Sequence, residues 1–127
     1  MDVRALHEIP WERDTTCGRL RVLYKSPQES CSLVYFEIES PTIPHFHEKM
    51  TEVYLIKRGR GRLRIHDINA KTPVEERVIE EGQRVVIPVK AVHQITPIDS
   101  ILGMEVLSDP KFDPRDIYEV PGYFERR

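Results

Sequence analysis

The stretch His45-Phe46-His47-Glu48-Lys49-Met50-Thr51-Glu52-Val53-Tyr54-Leu55-Ile56-Lys57-Arg58-Gly59-Arg60-Gly61 decides how this chain folds. Successive side chains of a β-strand point to opposite faces, so residues two apart share a face. His45 and His47 therefore present two imidazoles side by side, with Phe46 turned away. Glu48 to Thr51 reads as a turn, and a new strand opens at Glu52 with Glu52, Tyr54 and Ile56 on one face. A carboxylate beside two imidazoles suits iron, manganese, nickel, cobalt or zinc. Glu48 is the rival carboxylate. It follows His47 directly, so a continuing strand turns it to the opposite face, and Glu52 is the better ligand.

Further along, Gly82-Gln83-Arg84-Val85-Val86-Ile87-Pro88-Val89-Lys90-Ala91-Val92-His93 supplies a third imidazole. Proline removes a ladder donor, so the strand stops at Pro88 and a tight turn leads to His93. His7 and His66 lack partners at useful spacing and read as surface residues.

Working outward, β-type runs cover Arg19 to Tyr24, Ser32 to Ile38, Glu52 to Lys57, Gly61 to Ile65, Val74 to Ile79, Arg84 to Ile87, Val92 to Thr96 and Ile101 to Leu107. Turn signals separate them at Arg58-Gly59-Arg60-Gly61, Asp67-Ile68-Asn69, Glu80-Glu81-Gly82 and Pro97-Ile98-Asp99-Ser100. Many short strands without alternating helices predict an antiparallel sandwich or barrel. The 127 residues fit one domain and can bury a core without a disulfide or structural metal. The barrel core spans about 19–107, after an N-terminal arm over 1–18 whose obvious anchor is Trp11. A Pro-rich tail over 108–127 follows, either with a short helical turn at Pro114-Arg115-Asp116 or as an arm across the barrel.

The two histidine segments resemble the cupin motifs. The first runs His-x-His, three or four residues, Glu, six residues, Gly, and here gives His45, His47, Glu52 and Gly59. The second runs Gly, five residues, Pro-x-Gly, two residues, His, three residues, Asn, and here gives Gly82, Pro88, Lys90, His93 and Pro97. Glu39, Lys90 and Pro97 depart from the pattern at turn and strand-end positions, while all four ligand positions are filled. The resemblance implies an all-β double-stranded β-helix, a jelly-roll cupin barrel, holding one divalent transition metal through His45, His47, Glu52 and His93. Its identity among Fe, Mn, Ni, Zn and Co is open.

Lys plus Arg total 19 and Asp plus Glu 21, a net charge of -2 that argues against a nucleic-acid partner. The basic cluster Lys57, Arg58, Arg60, Arg62 and Arg64 reads as a solvent face, because Arg62 and Arg64 alternate with Leu63 and Ile65. No run approaches the roughly 18 apolar residues of a membrane helix, and the first residues carry no apolar signal stretch, so a cytoplasmic protein is expected. Cys17 and Cys31 are then expected as reduced thiols rather than a bridge.

Three imidazoles and a carboxylate around an octahedral metal leave two positions open, the mark of a reactive or substrate-binding site. The expectation is an enzyme of oxygenase, isomerase or lyase type acting on a small oxygenated molecule. Glu52 would serve as general base, as in some metal-dependent cupins, and Tyr54 would donate a hydrogen bond to substrate. Leu102, Met104 and Val106 would form an apolar wall, faced by Val34, Phe36 and Ile38, or by Leu33 and Tyr35 in the other parity. The alternative is a non-catalytic cupin that binds or senses a small polar ligand such as a sugar or carboxylate. Val53 and Leu55 need cover from the N-terminal arm or a second subunit, and the resemblance to small cupins favours a homodimer.

Overall fold

Among the described residues nine strands form, every one of them paired antiparallel: β1 (Glu12–Asp14), β2 (Gly18–Lys25), β3 (Ser32–Ile38), β4 (His45–Phe46), β5 (Thr51–Asp67), β6 (Glu75–Glu80), β7 (Arg84–Ile87), β8 (Ala91–Asp109) and β9 (Tyr118–Glu119). The structure, a computed structural model, describes residues 1–14 and 16–126. Apart from three short 3-10 turns there is no helix among the described residues, and none is long and apolar enough to cross a membrane.

The sheet runs β1-β2-β3-β8-β4-β9, and β5 lies against β8 while also pairing with β6 and β7. Two long strands therefore make the curl. The first part of β5 (51–56) pairs with the end of β8 and with β7, and its second part (60–67) pairs with the start of β8 and with β6. The two turn signals expected at Arg58–Gly61 and Pro97–Ser100 lie inside these strands instead. They mark a β-bulge, where the register slips between Ile56 and Arg60. Gly59 has φ 71°, and a Cβ there would meet the Ile101 carbonyl oxygen at 2.5 Å, so only glycine fits the bend. A two-against-more mismatch bends a strand and changes which face each later residue takes. Inward residues are accordingly even-numbered before the bulge (Glu52, Tyr54, Ile56) and odd-numbered after it (Gly61, Leu63). β8 switches the other way, from His93 and Ile95 to Leu102, Met104 and Val106.

The core collects on that inner face, with Val34, Phe36, Ile38, Ile56, Ile87, Leu102, Met104 and Val106 all 5% exposed or less. This settles the parity of β3 in favour of Val34, Phe36 and Ile38. Arg62 and Arg64 point outward and pair with Glu76 across β6, which accounts for the basic cluster as a solvated face. The guanidinium groups of Arg19 and Arg21 lie over the ring of Trp11 in the N-terminal arm, 4.1 and 3.9 Å from its centre. Arg21 also donates to the carbonyls of His7 and Ile9, so the arm is tied to β2.

His66 corrects the sequence reading. It is buried, not on the surface, with Nδ1 2.6 Å from the Tyr123 hydroxyl and Nε2 2.7 Å from the Thr72 carbonyl. Near the C-terminal end of the described residues, Tyr123 and Phe124 pack on Val92 of β8, with Phe46, Val74 and Val120 around them. No disulfide joins Cys17 and Cys31.

Candidate metal centre

Each histidine of the site is placed by a strand pairing or a turn. His45 in β4 is the direct partner of His93 in β8, which brings those rings to 4.2 Å between centres. His47 follows β4, and the loop 48–50 carries the chain into β5, whose second residue is Glu52. One ring nitrogen from each of His45, His47 and His93 lies within 4.8 Å of the others. The Glu52 Oε1 atom is 2.9 Å from His47 Nε2 and 3.6 Å from His93 Nε2. Glu48 is exposed and points elsewhere.

The opposite ring nitrogens are all tied down. Nδ1 of His45, His47 and His93 lies 2.7, 2.8 and 2.9 Å from the carbonyl oxygens of Ile43, Asp116 and Ala91. A carbonyl only accepts, so each Nδ1 carries hydrogen, and a neutral ring then turns a bare Nε2 inward. That second anchor is what orients a metal-binding imidazole.

The charges agree with a cation site. Burial, then the neighbouring His93, push the His45 imidazole down to about 3, so it is neutral. Burial opposes charge on Glu52 as well, but the hydrogen bond from His47 and the nearby imidazoles of His47 and His93 outweigh it and hold the carboxyl far below its ordinary range. His47 resists burial in the same way, since its contact with Glu52 raises its affinity for a proton. Any proton on its Nε2 would have to leave before that nitrogen could hold a metal. His93 Nε2 is the telling atom. The residue is 1% exposed, and among the described residues Nε2 has no hydrogen-bond partner. A buried orphan of this kind costs about 1–3 kcal/mol unless something satisfies it. Three nitrogen donors and one anionic oxygen around such an atom fit a divalent ion.

Tyr54 lies beside the carboxylate as its strand parity predicts, donating from its hydroxyl to Glu52 Oε1 at 3.3 Å. Burial, then the charge of Glu52, raise the phenol well above its ordinary value, so it stays a donor. The cavity here is about 20 Å³, room for about one water. Phe36, Met104 and Val106 form its apolar wall as expected, whereas Leu102 lies deeper in the core. Phe112 and Ile117 of the tail complete the lining.

Asp116 is the residue that sequence reasoning missed. It is 6% exposed, and its carboxylate accepts from the backbone N–H groups of Glu48, Lys49 and Met50 at 2.9, 3.1 and 2.9 Å. Its own carbonyl holds His47. The expected turn at Pro114–Asp116 is present as a 3-10 turn, and Asp113-Pro114 was its visible signal. The purpose of the turn was not visible. Lys90, where the second motif has glycine, adopts φ 64° and donates its N–H to the His47 carbonyl at 2.7 Å. The backbone geometry is thus kept without the glycine.

No protein-family model matches the chain. An uncharacterized protein of Aquifex aeolicus is 23% identical over 121 residues, covering 94% of this chain and 93% of its own. Among solved structures, the capsular polysaccharide assembling protein CapF of Staphylococcus aureus superposes with a TM-score of 0.75 at 21% identity, over 89% of this chain. The chain spans about a third of CapF, 32% of its length. Pac13, a nucleoside dehydratase known from Streptomyces and also solved with uridine, matches over 95% of this chain and 92% of its own, with a TM-score of 0.73 and 16% identity. KdgF of Halomonas matches over 86% of this chain and 94% of its own, with a TM-score of 0.69 and 16% identity. These are cupin-fold proteins, and the chain has the cupin fold.

Proposed function

We propose that this chain is a metal-dependent enzyme acting on a small oxygenated molecule at a mononuclear site held by His45, His47, Glu52 and His93. The observation that carries the reading is the buried, unsatisfied Nε2 of His93, convergent with two more imidazoles whose Nδ1 atoms are tied back to carbonyls. A bound divalent ion supplies Lewis-acid polarisation and a fixed point for an oxygen ligand. Iron, manganese, nickel, zinc and cobalt all suit the donor set.

The chain's own residues supply the rest. Tyr54 holds a proton beside Glu52 and can pass its hydrogen bond to a substrate oxygen. Glu52 is held ionised, so it would either help hold the ion or serve as a proton acceptor beside it. Phe36, Met104 and Val106 exclude water, which strengthens both effects. A cavity of about 20 Å³ has room for about one water and none for a nucleoside, so the likeness to Pac13 supports an elimination class rather than its substrate. Isomerisation and oxygenation are the other two reaction types that the donor set suits.

The tight packing favours one alternative, a module that binds a small polar ligand such as a sugar or carboxylate without turning it over. The dimer also belongs to the proposal, with the outer face of β5 as its contact.

Metal analysis of protein purified without added metal, beside His93→Ala, tests the centre. We expect close to one divalent ion per chain in the wild type and a large loss in the variant. Equal and negligible metal in both would sink the proposal. Iron that supports oxygen uptake would select the oxygenase, and redox-silent zinc or nickel the isomerase or lyase. A metal-loaded protein that is thermally stabilised by small carboxylates or sugars but converts none of them would select the module.

A further inference from the structure

We propose that Cys17 is a further ligand of the metal centre, a thiolate that joins His45, His47, Glu52 and His93 on the same ion. Nothing in the cupin motifs calls for sulfur at this point. The residue lies in the turn before β2, outside both histidine segments, and reaches the site only through the fold.

Its Sγ is 3.9 Å from Nε2 of His45, the nitrogen that faces the centre. It also lines the same small cavity as His45, His47, Glu52 and Tyr54. Gly18 makes this approach possible. Its φ is 141°, and a Cβ there would meet the Glu37 carbonyl oxygen at 2.7 Å, so glycine lets the start of β2 press onto β3 with Cys17 just inside the rim. The second, independent observation is His93 Nε2, 1% exposed and unsatisfied among the described residues, which marks the centre as a place awaiting a ligand-bound ion.

The distance decides between ligation and mere packing. Metal–sulfur and metal–nitrogen bonds of about 2.3 and 2.0–2.1 Å, at the roughly 90–120° angles of a five-donor site, put the two donor atoms about 3.1–3.8 Å apart. The observed 3.9 Å lies about 0.1–0.8 Å outside that spacing, a movement within the reach of one side-chain rotation. Ligation converts Cys–SH and M²⁺ into Cys–S–M and a proton released to solvent, with no change of oxidation state. A sulfur donor biases the site towards zinc and cobalt and away from manganese. Cys17 also faces a second cavity, of about 400 Å³, beside Arg13, Arg19 and Glu37. That opening gives a thiol reagent a route to it.

The inference rests on the metal reading above, and the test separates the two. The protein is prepared as Cys31→Ser, so that Cys17 is its one thiol, and titrated with Co²⁺ alongside the Cys17→Ser and Cys17→Ala variants in the same background. The expected result is one bound cobalt with visible ligand-field bands throughout, and a near-ultraviolet sulfur-to-cobalt charge-transfer band that both Cys17 variants lack. Alkylation of Cys17 by iodoacetamide should also slow several-fold when cobalt is bound. Ligand-field bands without a charge-transfer band, together with unchanged alkylation, would overturn the thiolate and leave the histidine centre standing. Failure of the parent protein to bind cobalt at all would overturn both.

Discussion

At the scale of single residues, the three-histidine cluster is built by tethering as well as by strand pairing. His45 and His93 each return Nδ1–H to the carbonyl two residues earlier, a contact that the local extended backbone provides. His47 has no such neighbour and takes its tether from Asp116 across the fold. Lys90 plays a backbone part in the same region. Its φ of 64° is a conformation that L-residues with a Cβ adopt at a cost of roughly 1–2 kcal/mol. Glycine escapes that cost but loses more entropy on folding, about 0.5–1 kcal/mol. Lys90→Gly should therefore stabilise the protein by about 0.5–1 kcal/mol, read as a higher urea midpoint at unchanged slope. Lys90→Ala, which keeps the Cβ, should gain nothing. A Gly variant less stable than the parent would show that the Lys90 side chain matters more than its backbone. The convergence of His45, His47, Glu52 and His93 was legible because strand parity and short spacings are local properties. The tether to His47 was not, since no local pattern links residues 47 and 116.

At the scale of elements, strand runs such as Ser32–Ile38 and Arg84–Ile87 were readable to the residue, because each is an unbroken β-type run that stops at a turn or proline. The long strands were misread as pairs. Arg58-Gly59-Arg60-Gly61 has the composition of a turn, yet β5 and β8 remain paired on both sides of it, and tertiary pairing outweighs local turn preference. The tail was opaque for another reason: its prolines say where regular structure ends, not what the segment covers. Asp116 tests its role. Removing a buried carboxylate that accepts from three backbone N–H groups leaves those donors unsatisfied. Asp116→Ala should cost about 2–4 kcal/mol, judged by charge-assisted hydrogen bonds. It should also weaken metal retention by roughly 10–100-fold, as loss of a support to a metal ligand does. Thermal melting and metal retention against a chelator read the two effects. Unchanged retention would reduce the tail turn to a purely structural brace.

At the scale of the whole molecule, the outer face of the sheet carries an apolar row that the monomer does not cover. Val86, Val53, Leu107, Leu33 and Tyr24 are consecutive cross-strand partners on β7, β5, β8, β3 and β2. Val86, Leu107 and Tyr24 are 43%, 40% and 55% exposed. The N-terminal arm does not serve as cover, because Trp11 lies over Arg19, Arg21 and Tyr35, beside the row rather than on it. The flank of the row carries charges of both signs, Lys57 facing Glu105 at 3.8 Å. A face that is apolar along its middle and mixed in charge at its edge can pair with a copy of itself about a two-fold axis. A strongly basic or acidic partner has no matching charge to find here. The expected outcome is a dimer in sedimentation at micromolar concentration, converted to monomer by Leu107→Glu together with Leu33→Lys. Both residues lie on the outer surface, so the monomeric variant should keep its fold and its metal. A wild type that sediments as a monomer would remove the dimer, and the exposed row would then belong to another partner.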